Sequence, residues 1–74
     1  MPNLDTRKAF GLVIKKYRLE AGLSQEELAE LAGLHRTYVS LLERGQRNPS
    51  LEVILSLGKA LKKSPGSLVN EVTK

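Results

Sequence analysis

Apolar residues recur along the chain at the three- and four-residue spacing of an α-helix, and the strict alternation typical of a β-strand is missing. The pattern predicts an all-α fold of five short helices, α1 to α5, over about 6–20, 25–32, 36–44, 51–61 and 65–72. Their expected inner sides carry Phe10, Val13, Ile14, Tyr17, Ala21, Leu28, Ala29, Leu31, Ala32, Val39, Leu42, Leu51, Ile54, Leu57, Gly58, Leu61 and Leu68.

Polar residues and glycines mark the ends of these helices. The run Ser24-Gln25-Glu26-Glu27 is a capping box, in which the Ser hydroxyl and the Glu carboxylate each bind a backbone amide at the start of α2. Ser50 caps α4, and Ser64-Pro65 opens α5. The glycines that end the first three helices are Gly22, Gly33 and Gly45. We expect frayed ends at 1–5 and 73–74, and a single domain over 1–74 with an ordered core of about 6–72.

Composition narrows the possible functions. A chain of 74 residues with 41% hydrophobic content can build one small core, which usually needs a further source of stability. The absence of cysteine excludes disulfides and thiolate metal sites, and with His35 as the single histidine we expect no metal site and no cofactor. No apolar run reaches the length of a membrane helix and no export signal is readable, so we expect a cytoplasmic protein stabilised by a partner subunit.

The charge distribution suggests a nucleic-acid partner. There are 12 Lys and Arg against 8 Asp and Glu, a net charge of +4 that many ordinary domains also carry. The basic residues are more informative locally, because Arg36, Arg44 and Arg47 lie within twelve residues and are opposed there only by Glu43. This stretch coincides with α3 and the turn after it. DNA or another acidic surface is therefore the expected partner.

The helices α2 and α3, joined by a turn that contains glycine, have the form of a helix-turn-helix unit that places its second helix in the DNA major groove. The small residues Ala29 and Gly33 allow the two helices to cross closely. The outer face of α3 is then left with polar and basic side chains, namely His35, Arg36, Thr37, Ser40 and Arg44. The sequence therefore predicts a DNA-reading surface on α3.

The residues also match a known family. The runs Gly22-Leu23-Ser24-Gln25-Glu26-Glu27-Leu28-Ala29, Ala32-Gly33-Leu34, Val39-Ser40, Glu43-Arg44-Gly45, Arg47-Asn48-Pro49-Ser50-Leu51 and Ala60-Leu61 resemble the Cro/phage-repressor type of helix-turn-helix regulator over about residues 7–69. Within this family, 35–40 and 43–48 look most like the small controller proteins of restriction-modification systems. The resemblance implies a five-helix, lambda-repressor-like DNA-binding domain.

The resemblance also implies roles for individual residues. Ser24 and Gln25 would bind a phosphate at the start of α2, and base reading would fall to Arg36, Thr37 and Ser40, with Arg36 suited to guanine. The residues implied near the groove wall and the phosphates of the following loop are His35, Tyr38, Arg44, Arg47, Asn48 and Ser50. His35 would otherwise serve only as a weak helix cap, and Tyr38 could equally be a half-buried packing residue.

Four further expectations concern structure. The family pattern pairs Arg18 with Glu43 as a partly buried ion pair between α1 and α3, and Glu26, Glu27 and Glu30 form a solvated acidic face of α2. Lys62-Lys63 stands where the family has Gly-Val, which removes a glycine cap and an apolar plug. One recognition helix reads only a few base pairs, so a homodimer is expected. Its candidate interface is Val53, Leu55, Val69 and Val72, although some of these could instead face the core.

The expected function is a homodimeric, sequence-specific regulator of transcription that binds double-stranded DNA at a pseudo-palindromic operator. An antitoxin of a toxin–antitoxin pair uses the same fold, but no toxin-binding extension is evident beyond residue 72. A protein-interaction adaptor without DNA reading is disfavoured by the polar face of α3. An enzyme is not expected, since no carboxylate pair, nucleophile dyad or phosphate-binding loop can be assembled. RNA polymerase is a possible additional partner, with the acidic face of α2 as a weak candidate surface.

Overall fold

The computed structural model describes the backbone of residues 4–73 and the side chains of residues 6–73. This part of the chain folds into five α-helices, as predicted: α1 Leu4–Glu20, α2 Gln25–Ala32, α3 Arg36–Glu43, α4 Leu51–Leu61 and α5 Pro65–Val72. α1 begins at Leu4, two residues before the start that the sequence predicts, and Thr73 is the C-terminal cap of α5, so fraying at residues 4, 5 and 73 stays a prediction. The expected frayed residues 1–3 and 74 lie outside the described residues.

The helix caps form as the sequence predicts. The Ser24 hydroxyl accepts from the Glu27 amide at 3.0 Å, and the Ser24 amide donates to the Glu27 carboxylate at 2.8 Å. The bond from the Ser24 amide to the carboxylate lowers the pKa of the Glu27 carboxyl below its ordinary value, and the nearby Ser24 hydroxyl acts in the same direction. Because the pKa of Glu27 is lower in the folded state than in the unfolded chain, the ionised carboxylate stabilises the fold at neutral pH. That contribution is lost as the pH falls through the folded-state pKa. Ser50 and Ser64 cap α4 and α5 in the same way.

The core lies where α1 and α5 pack against α3 and α4, with α2 closing one side against α3 and α4. Its side chains come from all five helices. The buried apolar residues are Phe10, Ile14, Leu28, Ala29, Val39, Leu42, Leu57, Leu61 and Leu68. α5 contributes one fully buried residue, Leu68, and packs mainly against α1 and α4. No helix among the described residues is long and apolar enough to cross a membrane.

Three residues that the periodicity placed inside are exposed. Leu31 is 61% exposed because α2 is only eight residues long and turns Leu28 and Ala29, not Leu31, toward the core. Leu51 is 71% exposed, since it is the first residue of α4 and precedes the part of that helix that meets its neighbours. Ala21 lies past the end of α1 and is exposed as well. Helical spacing alone does not show where a helix stops touching the core.

The turn between α4 and α5 carries Lys62-Lys63 where the family has Gly-Val, and contacts of the lysines replace part of what is lost. Lys62 caps α4 with φ 58°, a left-handed conformation that glycine adopts with less strain. Lys63 places its Nζ 4.7 Å from the centre of the Tyr17 ring, and Lys16 approaches the same ring at 5.4 Å. Cation–π contact thus takes the place of the apolar plug that Lys62-Lys63 removes.

The crossing of α1 and α3 is unusually close. A Cβ atom built on Gly11 would lie 2.5 Å from the backbone oxygens of both Leu42 and Glu43. Those oxygens belong to the last turn of α3 and cannot rotate away as a side chain could. Gly11 therefore sets the separation of the two helices.

Replacing Gly11 with alanine should force α1 and α3 apart. We expect Gly11→Ala to lower the free energy of unfolding in urea by about 1–3 kcal/mol, despite the better helix propensity of alanine. Gly66→Ala is the matched control, because a Cβ there meets no atom within 4 Å. It should leave stability unchanged or raise it by about 0.4–1 kcal/mol. Equal stabilities of the two variants would contradict the close crossing.

Candidate nucleic-acid interface

The α2–α3 unit is a tight helix-turn-helix. Gly33 adopts φ 69° at the end of α2, and the Leu34 amide then donates to the Ala29 carbonyl at 2.8 Å, which closes the turn. His35 begins α3 as its cap, with Nδ1 accepting from the Thr37 amide at 3.2 Å. The capping bond therefore occupies Nδ1 of the imidazole and does not use Nε2. The turn fixes the angle at which α3 leaves α2.

The two sides of α3 differ sharply in character. Val39, Leu42 and Glu43 are buried on its inner side. Arg36, Thr37 and Arg44 are exposed on the outer side, and Ser40 is half-buried beside them. Tyr38 is half-buried and packs against the core, on the flank of α3 away from Arg36. The structure therefore brings Arg36, Thr37, Ser40 and Arg44 onto one polar face, and leaves Tyr38 at its edge.

A buried ion pair holds this face in place. Arg18 of α1 donates to both oxygens of Glu43, from Nε at 2.7 Å and from one terminal nitrogen at 3.0 Å. Its other terminal nitrogen donates to the Leu23 carbonyl at 2.9 Å, in the turn between α1 and α2. The bond to Glu43 raises the pKa of Arg18, so this arginine is charged throughout the accessible pH range. The pair joins α1, the first turn and the end of α3.

Gln25 belongs to the same network. Its side-chain nitrogen donates to Glu43 at 3.0 Å, across from the first turn of α2 to the last turn of α3. A carboxamide nitrogen carries two hydrogens, so one remains for another acceptor such as a phosphate oxygen. Gln25 and Ser24 line a concavity with a volume of about 540 Å³. The same concavity is lined by Arg36, Thr37 and Ser40 of α3. The residues expected to bind a phosphate and those expected to read bases thus line one concavity.

The loop after α3 carries further cationic groups. Arg44 contacts the Ser40 carbonyl at 3.5 Å, and Arg47 donates to the Gln46 carbonyl at 2.9 Å, with both guanidinium groups exposed. Asn48, in the same loop, is exposed and lines a groove with Arg7 and Phe10 of α1. The Ser50 hydroxyl is occupied as the cap of α4, accepting from the Val53 amide. The loop presents two positive charges next to the polar face of α3.

The acidic face of α2 is less uniform than the sequence suggests. Glu26, Glu27 and Glu30 are all exposed. Glu27, however, closes the capping box, and Glu26 forms an ion pair with Arg36 at 3.2 Å. Sequence reasoning missed the second contact, because the two residues are ten positions apart on different helices and no periodic pattern relates them. Within residues 6–73, no group of His, Asp and Glu is arranged to hold a metal ion.

The candidate dimer residues do not form one surface. Leu55 is 49% exposed and Val69 is 45% exposed, while Val53 and Val72 are half-buried and pack against the core. On a helix with 3.6 residues per turn, Val53 and Leu55 point about 160° apart. Leu51, four residues before Leu55, adds a second exposed leucine on the same side of α4.

Comparison with known proteins agrees with this geometry. A family model described as helix-turn-helix matches residues 14–68. Control protein C.SmaI of Serratia marcescens is 41% identical over 66 residues, covering 89% of this chain and 79% of the relative. Control protein C.BamHI of Bacillus amyloliquefaciens is 44% identical over 70 residues, which cover 93% of this chain and 86% of the relative. The crystal structure of the restriction-modification controller protein C.AhdI from Aeromonas hydrophila superimposes with a TM-score of 0.82 and 50% identity. The superposition covers 89% of this chain and 98% of that one.

Removing Arg18 should leave a buried carboxylate without its counter-charge. We expect Arg18→Ala to lower the free energy of unfolding by about 3–5 kcal/mol, measured in urea at neutral pH. Lys15→Ala, an exposed position on the same helix, is the control and should change stability by less than about 0.5 kcal/mol. Adding Glu43→Gln to Arg18→Ala should recover part of the loss, because it removes the stranded charge. A variant no less stable than the Lys15 control would contradict a stabilising network.

Proposed function

This chain belongs to the helix-turn-helix family of DNA-binding transcriptional regulators, and we propose that it acts in the cytoplasm as a homodimer on a pseudo-palindromic operator, as the controller of a restriction-modification system. The observation that carries the proposal is the polar face of α3. Arg36, Thr37 and Arg44 are exposed there, next to the start of α2 and the Arg47 loop. A helix with this face fits the major groove, where arginine pairs with the two acceptors of guanine.

The residues on and around the polar face of α3 are assigned two kinds of contact with DNA. Arg36, Thr37 and Ser40 lie deepest toward a groove and are assigned to base edges. Arg44, Arg47 and the start of α2 are assigned to phosphates, since arginines and helix amino termini are the usual phosphate ligands. His35 and Tyr38 flank the face, the first occupied as a cap and the second packed on the core. They are assigned at most a contact at the groove wall.

The size of the domain supports a dimer. Its principal dimensions are 30 × 23 × 21 Å, and two half-sites one turn of DNA apart are about 34 Å from centre to centre. Two copies of this size fit side by side on adjacent half-sites, with one α3 helix for each. Each then reads one half-site, and the sequence information is doubled without a second domain.

We place the dimer surface on α4 and α5. Leu51, Leu55 and Val69 are exposed there, beside a groove of about 160 Å³ lined by Phe10, Ile54 and Val72. Arg7 also borders this groove, and its Nε is buried without a hydrogen-bond partner among the described residues. A second copy would cover the leucines and supply an acceptor for that nitrogen. This choice retains Leu55, Val69 and Val72 of the candidate interface and leaves Val53 to the core.

The base-reading role of Arg36 is tested with DNA that the protein itself selects from a random-sequence library. We expect the selected duplexes to be two-fold symmetric, with half-sites about one helical turn apart. Arg36→Ala should weaken binding to a selected duplex by about 1–3 kcal/mol per half-site, with a much smaller effect on a scrambled duplex of the same length. Arg47→Ala, the matched arginine in the loop, should weaken both and reduce the slope of log K against log salt by about 0.9 for each phosphate that is no longer neutralised. Equal losses on both duplexes from Arg36→Ala would refute base reading.

The dimer is tested by sedimentation. Leu55→Glu places a charge at the centre of the proposed interface, and we expect it to shift the protein at micromolar concentration from dimer to monomer. Leu12→Glu is the control, because Leu12 is 63% exposed on the side of α1 away from the groove. It should sediment like the unmodified chain. Monomeric behaviour of the unmodified chain, with and without a selected duplex, would eliminate the homodimer.

A further inference from the structure

The ion pair between Glu26 and Arg36 lies inside the DNA-facing concavity. Glu26 is the second residue of α2 and Arg36 the first residue of α3, and both line the concave surface near Gln25. A terminal nitrogen of Arg36 donates to the Glu26 carboxylate at 3.2 Å, and the two side chains are 69% and 70% exposed. A carboxylate next to an approaching phosphate backbone is unfavourable by charge. Its presence on the base-reading arginine therefore needs a reason.

The geometry of the contact leaves Arg36 able to bind a base. Only one guanidinium nitrogen is engaged, and the other two donate to no atom among the described residues. An arginine carries five N–H groups in a planar fork. One of them can stay on Glu26 while two others meet O6 and N7 of guanine side by side. The contacts to Glu26 and to guanine are thus compatible.

The helix-turn-helix fixes the position of the Glu26 backbone relative to α3. Glu26 lies between the two residues of the closed capping box, Ser24 and Glu27, on a helix whose angle to α3 is set by Gly33 and by the Gln25–Glu43 bond. A long arginine side chain otherwise loses much rotamer freedom when it docks on a base. A carboxylate held on the neighbouring helix restricts that freedom before DNA arrives. It also gains strength when the duplex excludes water from the pair.

We propose that Glu26 is a positioning residue for base recognition, which keeps its bond to Arg36 in the operator complex and orients the guanidinium toward guanine. The proposal rests on the proposed function, since it assumes that Arg36 reads a base. The opposite role is a competitor, in which Glu26 withholds Arg36 from DNA until it is displaced. The two roles differ in sign: removal of a positioning residue weakens operator binding relative to other DNA, whereas removal of a competitor strengthens operator binding.

The experiment compares Glu26→Ala with Glu30→Ala. Both residues are exposed glutamates on α2, so each variant removes one negative charge and gains the same general attraction to DNA. Affinities are measured for a duplex selected by the protein and for a scrambled duplex of equal length. We expect Glu26→Ala to lower the ratio of the two affinities about fivefold, and Glu30→Ala to leave it unchanged. Glu26→Gln, which retains an acceptor oxygen, should fall between Glu26→Ala and the unmodified chain.

A double-mutant cycle separates positioning from a structural effect. In the Arg36→Ala background, Glu26→Ala should not change the ratio further, because no guanidinium remains to orient. A loss that persists there, or operator binding that becomes tighter in Glu26→Ala with the ratio unchanged or raised, would overturn the inference. If Arg36→Ala lowers the ratio but Glu26→Ala does not, the inference alone fails. If Arg36→Ala itself leaves the ratio unchanged, the assigned base reading fails as well.

Discussion

The buried carboxylate of Glu43 is the constraint on which the rest of the structure depends. It accepts two bonds from Arg18 and one from Gln25, so a single group at the end of α3 ties that helix to both α1 and α2. A buried charge is tolerated only when its bonds are satisfied, and the pair contributes specificity of arrangement more than net stability. Gly11 permits this arrangement, because the same turn of α3 touches the α1 backbone there.

This constraint connects the core to the DNA-facing surface. The bond from Gln25 to Glu43 holds the first turn of α2 beside α3, and the same first turn carries Glu26, which reaches Arg36. A change in the buried pair would therefore alter the orientation of Arg36, which we propose reads a base, as well as the stability of the domain. In a chain this small the core and the interface cannot be separated, because α3 supplies its inner side to one and its outer side to the other.

The sequence was most informative where structure depends on adjacent residues. The capping box at Ser24 and the left-handed glycines are local devices, and the five helices follow from them and from the apolar spacing. Burial of Leu31 and Leu51 was misjudged because it depends on which part of each helix meets its neighbours, which helical spacing alone does not show. The Glu26–Arg36 contact was missed for a similar reason, since it exists only once α2 and α3 have docked. The Arg18–Glu43 pair could be anticipated only through resemblance to the family.

The distribution of charge can now be interpreted more closely than the net value of +4 allows. Arg36 is matched by Glu26, so it adds little to the long-range attraction that draws any duplex to the protein. Arg44 and Arg47 have no acidic partner among the described residues, and they contribute that attraction instead. An arginine that is paired with a nearby carboxylate attracts DNA weakly at long range. It can still form short, directional hydrogen bonds with a base. The arginine proposed to bind guanine and the arginines proposed to bind phosphate therefore differ in their electrostatic surroundings. If those roles hold, α3 and the turn after it separate base recognition from general affinity for DNA.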